Sequence, residues 1–98
     1  MDIHLDALTV SHNAENRRFE TQLGEQTAVV SYIIRSGEMI VTHTEVPYPY
    51  EGYGIAAKIT QAALDYAREN GLRVRPMCPY TAAYIKRHKE YQPITVGY

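Results

Sequence analysis

The sequence predicts an α+β domain in which helices pack on a mainly antiparallel sheet. Three observations carry this expectation. The first half breaks into short strand-like runs, a long amphipathic segment starts at Gly54, and a further strand and helix come after it. With 98 residues, 45% of them apolar, the chain fits one folded domain spanning 1–98 with a modest core. No stretch nears the ~20 apolar residues that a membrane span needs.

Residues 8–12 read as an opening strand, and Asn13-Ala14-Glu15-Asn16 as a polar turn. Residues 19–23 form a second strand that ends at the turn signal Gly24-Glu25. In residues 28–35, Ala28, Val30, Tyr32 and Ile34 share one face, and Val29, Ser31, Ile33 and Arg35 the other. Apolar residues fall on both sides, so both faces of this strand are expected to be at least partly covered. Ser36-Gly37 marks a hairpin, and residues 39–46 the next strand. Pro47 and Pro49 stop it, because each removes a ladder donor.

From Gly54 to about Glu69 the spacing predicts one helix. Its buried stripe is Ile55, Ile59, Ala62, Ala63, Tyr66 and Ala67, with Lys58, Gln61, Asp65 and Arg68 largely on the other side. Asn70-Gly71 is the stop, since glycine takes the left-handed conformation past a helix end. A strand over 73–77 and a helix over 81–87 complete the pattern.

The formal charge of −1 hides an asymmetry. Residues 1–67 hold four Lys and Arg against nine Asp and Glu, and residues 68–98 hold six against two. A basic last third suits an anionic ligand and the acidic remainder a cationic substrate, although unevenly spread solvated charge gives the same count. A chain that is not basic overall is not expected to bind nucleic acid. The single cysteine, Cys78, excludes an internal disulfide framework. Together with an N-terminus lacking the basic-then-apolar order of a secretory leader, it points to the cytoplasm. His4, His12, His43 and His88 lack ligand spacing, so no metal site is expected.

The informative segment is Glu51-Gly52-Tyr53-Gly54-Ile55-Ala56-Ala57, lying between a strand and a helix. Two glycines let the backbone turn tightly and approach a ligand. The first amides of a helix lack internal partners and point outward at the positive end of the dipole, a seat for a diphosphate. No Gly-Lys-Ser/Thr comes after it, which excludes a Walker loop, and the three-glycine dinucleotide fingerprint is missing.

In context, Val46-Pro47 followed by Gly52-x-Gly54-Ile55-Ala56 resembles the acetyl-coenzyme A signature of the GNAT acetyltransferase superfamily, Gln/Arg-x-x-Gly-x-Gly/Ala. Glu51 stands where that signature has Gln or Arg. The run Cys78-Pro79-Tyr80 with Ala83-Tyr84-Ile85-Lys86-Arg87-His88 is similar to a compact single-domain subgroup, and the resemblance covers about residues 18 to 92. It implies acetyl-CoA as cofactor and acetyl transfer to an amine by direct attack. It also implies a splayed strand pair, residues 39–46 against 73–78, with pantetheine pairing to free backbone near Val46. The diphosphate would rest on residues 52–57, including Gly52, Tyr53, Gly54, Ile55, Ala56 and Ala57. A domain of the same fold that holds coenzyme A without efficient transfer is the alternative. A partner-binding domain using Tyr48-Pro49-Tyr50 is a third reading.

Acetyl transfer needs a base for the amine, a polarised carbonyl and a proton for the leaving thiolate. His43 and Glu45, two apart on one strand, share a face and either can take the proton; solvent-facing strand residues have the same spacing. The resemblance implies a proton-donating role for Tyr84, which can instead pack its ring under the sheet. Cys78, at the end of the cofactor-side strand, either meets the thioester or is a small buried hydrophobe. Arg87, in the basic cluster with Lys86 and Lys89, is a candidate for the cofactor's phosphates. Little chain lies between the first two strands to wall an acceptor pocket. The expected acceptor is therefore an amine reached through an open site, such as a peptide or protein amine, on a monomer or weak dimer.

Overall fold

The computed structural model describes residues 3–98. Five strands form one sheet in sequence order: β1 (Ser11–Asn13), β2 (Arg18–Leu23), β3 (Gln26–Arg35), β4 (Glu38–Glu45) and β5 (Arg73–Pro76). All neighbours are antiparallel except β4 and β5. A parallel pair needs a long crossover, and α1 (Ile55–Glu69) supplies it; α2 (Pro79–Arg87) comes after β5. The architecture is the α+β arrangement the sequence predicts.

The core lies between one sheet face and the helices. Ala28, Val30, Tyr32, Met39, Val41 and Val74 meet Ile55, Ile59, Ala63, Leu64 and Ala67 of α1 and Ile85 of α2. Thr60 and Leu64, outside the stripe expected from spacing, are also fully buried, because α1 is flanked as well as floored. Asp65 is tied down too: its carboxylate accepts a hydrogen bond from the Tyr91 hydroxyl at 2.6 Å. Tyr91 belongs to a 3-10 segment, Lys89–Ile94, that the sequence pattern does not predict, and Thr95 behind it bridges to Val74 of β5.

The other sheet face carries no helix among the described residues. The second face of β3 is accordingly covered only in part: Val29 and Ser31 are half-buried, and Ile33 is 37% exposed. Ile34, on the core side of the alternation, is 45% exposed at the hairpin end of β3. The opening strand is also shorter than expected. Residues 8–10 run without ladder pairing, with Leu8 and Val10 packed against the core, and pairing begins at Ser11. Helix α2 starts earlier than expected, with Pro79 in its first turn, where its missing N–H costs nothing.

Two irregularities give the far end of β4 its character. The β3–β4 register shifts between Ser31 and Tyr32, which face His43 and Val41, so Thr42 is the extra residue of a β-bulge. Pairing with β5 stops at Val41 and Pro76. The Val41 carbonyl then accepts from both Met77 and Cys78 amides at 3.0 Å as the chain leaves the sheet toward α2. Beyond Val41, β4 has no strand on that side.

Candidate cofactor cleft

Where β4 and β5 part, a cavity of about 420 Å³ opens. Thr44 and Val46 line one side of it, and Tyr80, from the first turn of α2, lines it too. Its rim is the Tyr50-Glu51-Gly52 turn and the start of α1 at residues 54–57.

The glycine turn is dictated by backbone conformation rather than by crowding. Gly52 and Gly54 have φ of 86° and 85°, while an added Cβ would meet nothing within 4 Å at Gly52 and only Leu5 Cδ2 at 3.4 Å at Gly54. An L-residue held in that region is strained by about 1–2 kcal/mol. Gly54 is the N-cap of α1 and offers no side-chain cap, and the first turn holds no acidic residue. The Lys58 amide bonds the Gly54 carbonyl at 3.1 Å, leaving the amides of Ile55, Ala56 and Ala57 without an intrahelical partner beside the cavity. This uncapped, unopposed helix start fits an anionic diphosphate. The Tyr53 side chain does not line the cavity and is 40% exposed. Its part in holding a ligand is limited to the turn.

The side chains singled out for chemistry fall on different sides of β4. His43 and Glu45 do share a face, with His43 Nε2 3.7 Å from Glu45 Oε1. That face is the bare one: both are exposed, opposite Ser31 and Val29, and neither lines the cavity. The residue between them, Thr44, turns inward instead. Cys78 lies behind Thr44, buried at the N-cap of α2, with Sγ 3.4 Å from Thr44 Oγ1. Burial pushes this thiol up, but hydrogen bonding from the Thr44 hydroxyl and from the Thr81 and Tyr80 main chain outweighs it. The net effect holds Cys78 below the ordinary thiol value. The buried Thr81 hydroxyl makes no well-formed hydrogen bond of its own among the described residues.

The structure corrects the placement of Tyr84. It does not line the cleft; it is buried, with its ring stacked on His88 at 3.8 Å. The tyrosine that α2 brings to the cleft is Tyr80, one turn earlier. Burial raises the Tyr80 phenol above its ordinary value, against the nearby charge of Arg87. Arg87 is likewise outside the lining and exposed, so its position is beside the cleft rather than in it. The residues missed from sequence are Thr44, Tyr50 and Tyr80. Simple alternation already sets Thr44 opposite His43 and Glu45, whereas Tyr50 and Tyr80 depend on how a 3-10 turn and a helix start are placed.

A sheet whose parallel pair splays beside an uncapped helix start defines a class of α+β domains. Comparisons with known proteins place the chain within that class. The family model described as GCN5-related N-acetyl-transferase matches residues 18–94. The chain is 33% identical to Protein NATD1 of Mus musculus over 84 residues, 83% of this chain and 76% of that protein. It is 32% identical to Protein NATD1 of Danio rerio over 89 residues, 86% of this chain and 81% of that protein. The solution structure of a GCN5-like protein from Staphylococcus aureus shares the fold, with TM-score 0.73, 23% identity, and 93% of this chain and 90% of that chain covered. The chain belongs to the GCN5-related N-acetyltransferase family. No helix among the described residues is long and apolar enough to cross a membrane.

Proposed function

We propose that the chain binds acetyl-coenzyme A in the cleft and transfers the acetyl group to an amine approaching from the bare face of the sheet. The carrying observation is the coincidence of an uncapped α1 start with the parting of β4 from β5 in one cavity. When bound, acetyl-CoA supplies the activated acyl group and a thiol leaving group.

The chain's own residues divide the rest of the work. The amides of Ile55, Ala56 and Ala57 hold the diphosphate. The unpaired edge of β4 around Thr44 and Val46 offers main-chain donors and acceptors to an amide-bearing arm. His43 and Glu45, at the same strand end but on the bare face, take a proton from the incoming amine. Tyr80, a phenol that is protonated at neutral pH and raised further by burial, returns a proton to the leaving sulfur. Direct attack asks nothing of Cys78, which sits behind Thr44. Because no helix walls the bare face among the described residues, the acceptor that fits is an amine presented on a peptide or protein.

Calorimetric titration with coenzyme A, then thioester consumption across an amine panel, tests the reading. Saturable binding that Gly54→Val lowers by tenfold or more, with turnover of a peptide amine, is the expected result. Absence of binding to the unaltered chain refutes it. Glu51, standing where the family signature has Gln or Arg, favours one second reading, a coenzyme A-binding domain without efficient transfer. Tight binding with no thioester consumption on any amine supports that reading instead.

A further inference from the structure

The bare face of the sheet is ordered by charge from one end to the other. Ladder register sets its side chains in rows across the strands, with β3 in the middle of each row. The first row is Glu20, Val29 and Glu45, and the second is Arg18, Ser31 and His43. Next come Ile33, Ile40 and Arg75, and then, at the Ser36-Gly37 hairpin, Arg35, Glu38 and Arg73. Carboxylates outnumber arginines in the two rows at the His43–Glu45 end, while three arginines stand against Glu38 in the other two. Arg75 holds Glu38 by two hydrogen bonds, and the charges of Arg75, Arg73 and Arg35 add to them, so the Glu38 carboxyl lies below its ordinary value. Arg35 itself is exposed and enters no ion pair among the described residues. Between the two ends, Ile33 and Ile40 pair as an apolar step outside the helix-side core.

The proposed transfer uses His43 and Glu45 alone among these groups, which leaves the apolar pair and the surplus arginine charge without a role. We infer that this face reads the acceptor as an extended peptide, its lysine spaced two residues from an apolar side chain and four from an Asp or Glu. The assignment rests on the acceptor reading of the bare face and names the peptide class that fits it. Side chains of an extended chain fall on one side at every second residue. Ser31, Ile33 and Arg35 mark that same period on β3, a run of about 13 Å. A peptide lying along β3 therefore sets three of its side chains over three successive rows. Its lysine, a cation in water, is drawn to the carboxylate end and reaches His43 and Glu45. The apolar side chain covers Ile33 and Ile40, taking all three from water. The carboxylate meets Arg35, whose guanidinium is unspent, in the row where Arg73 also stands. A basic side chain at that last position faces three arginines and is repelled. Because the backbone of β3 is spent on its two ladders, side chains alone select the peptide, by spacing and charge.

Steady-state kinetics with acetyl-coenzyme A test it on the full chain and on Arg35→Glu, an exposed substitution whose folding is checked by thermal melting. The acceptors are n-butylamine and three lysine peptides, each made in both chain directions. One peptide carries leucine and glutamate two and four residues from the lysine, one has that glutamate replaced by lysine, and one has leucine and glutamate exchanged. The first, in at least one direction, is expected to exceed the other two about tenfold in kcat/KM, through KM. Arg35→Glu is expected to reverse the order of the glutamate and lysine peptides and to leave n-butylamine turnover unchanged. Equal use of the three peptides overturns the assignment, as does a preference that survives Arg35→Glu. A second copy of the chain seated on this face, seen in sedimentation as a doubled mass that Arg35→Glu abolishes, overturns it too. If n-butylamine is acetylated and the peptide pattern is ignored, only this assignment falls. If no amine is acetylated, the transfer reading falls, and anisotropy of the labelled peptides on the coenzyme A-loaded chain decides this one by the same order of affinities.

Discussion

The two halves of β4 carry opposite duties. Residues 38–41 lie between β3 and β5, with Met39 and Val41 fully buried and Glu38 stitched to Arg75 of β5 by two hydrogen bonds at 2.8 and 3.1 Å. Residues 42–45, past the bulge, pair on one side only, and Thr42, His43 and Glu45 are exposed. One continuous strand thus anchors the sheet at its start and offers a free edge at its end. The bulge at Thr42 does more than interrupt the ladder: it resets which side chains face inward, so that Thr44 takes up the core side that Met39 and Val41 hold earlier. Under the proposed function, stability and chemistry are separated by a few residues along the same backbone.

That division is breakable by substitution. In the paired half, Met39→Ala is expected to cost about 2–5 kcal/mol of stability through lost burial and an unfilled cavity, read by chemical denaturation. Coenzyme A affinity of the folded protein is expected to stay within twofold. In the open half the order reverses. Replacing His43 and Glu45 together by alanine is expected to lower turnover about 100-fold, while moving stability by less than about 0.5 kcal/mol. A large stability loss there, or unchanged turnover, contradicts the assignment of the bare face to the acceptor. The smallest effect sits at the boundary. Thr44→Val removes a hydrogen bond that lowers the Cys78 thiol, so the thiol rises toward its ordinary value and the thiolate fraction at a given pH falls. Alkylation of Cys78 is expected to slow a few-fold and its pH profile to move upward, at a stability change of about 1 kcal/mol. An unmoved profile means that Thr44 does not tune the thiol.

How much of this was legible depends on the kind of signal. Helix α1 and the hairpin at Ser36-Gly37 were readable because helical period and turn chemistry are local. The glycine turn was readable for the same reason: the left-handed backbone at Gly52 and Gly54 leaves a mark in residue type. What escaped depended on tertiary placement. A bulge has no residue signature at Thr42, so the inward turn of Thr44 relative to Val41 was hidden. The choice between Tyr80 and Tyr84 hung on where α2 begins, and Pro79 was the available clue. The 3-10 segment Lys89–Ile94 contains Pro93 and lacks helical spacing, yet it seats Tyr91 against Asp65. On the sheet's second face, Ile33 looks like a core residue yet lies 37% exposed, because no helix covers it among the described residues.

The most direct test is an amide-resolved titration of the isotope-labelled chain with coenzyme A. Saturable changes at Thr44, Val46 and Gly52 and at the amides of residues 55–57, with Met39 and Val41 unmoved, are the predicted result. No saturable change at those positions, or changes gathered on the paired half of β4, would contradict the claim that the parted strands and the bare helix start form one ligand seat.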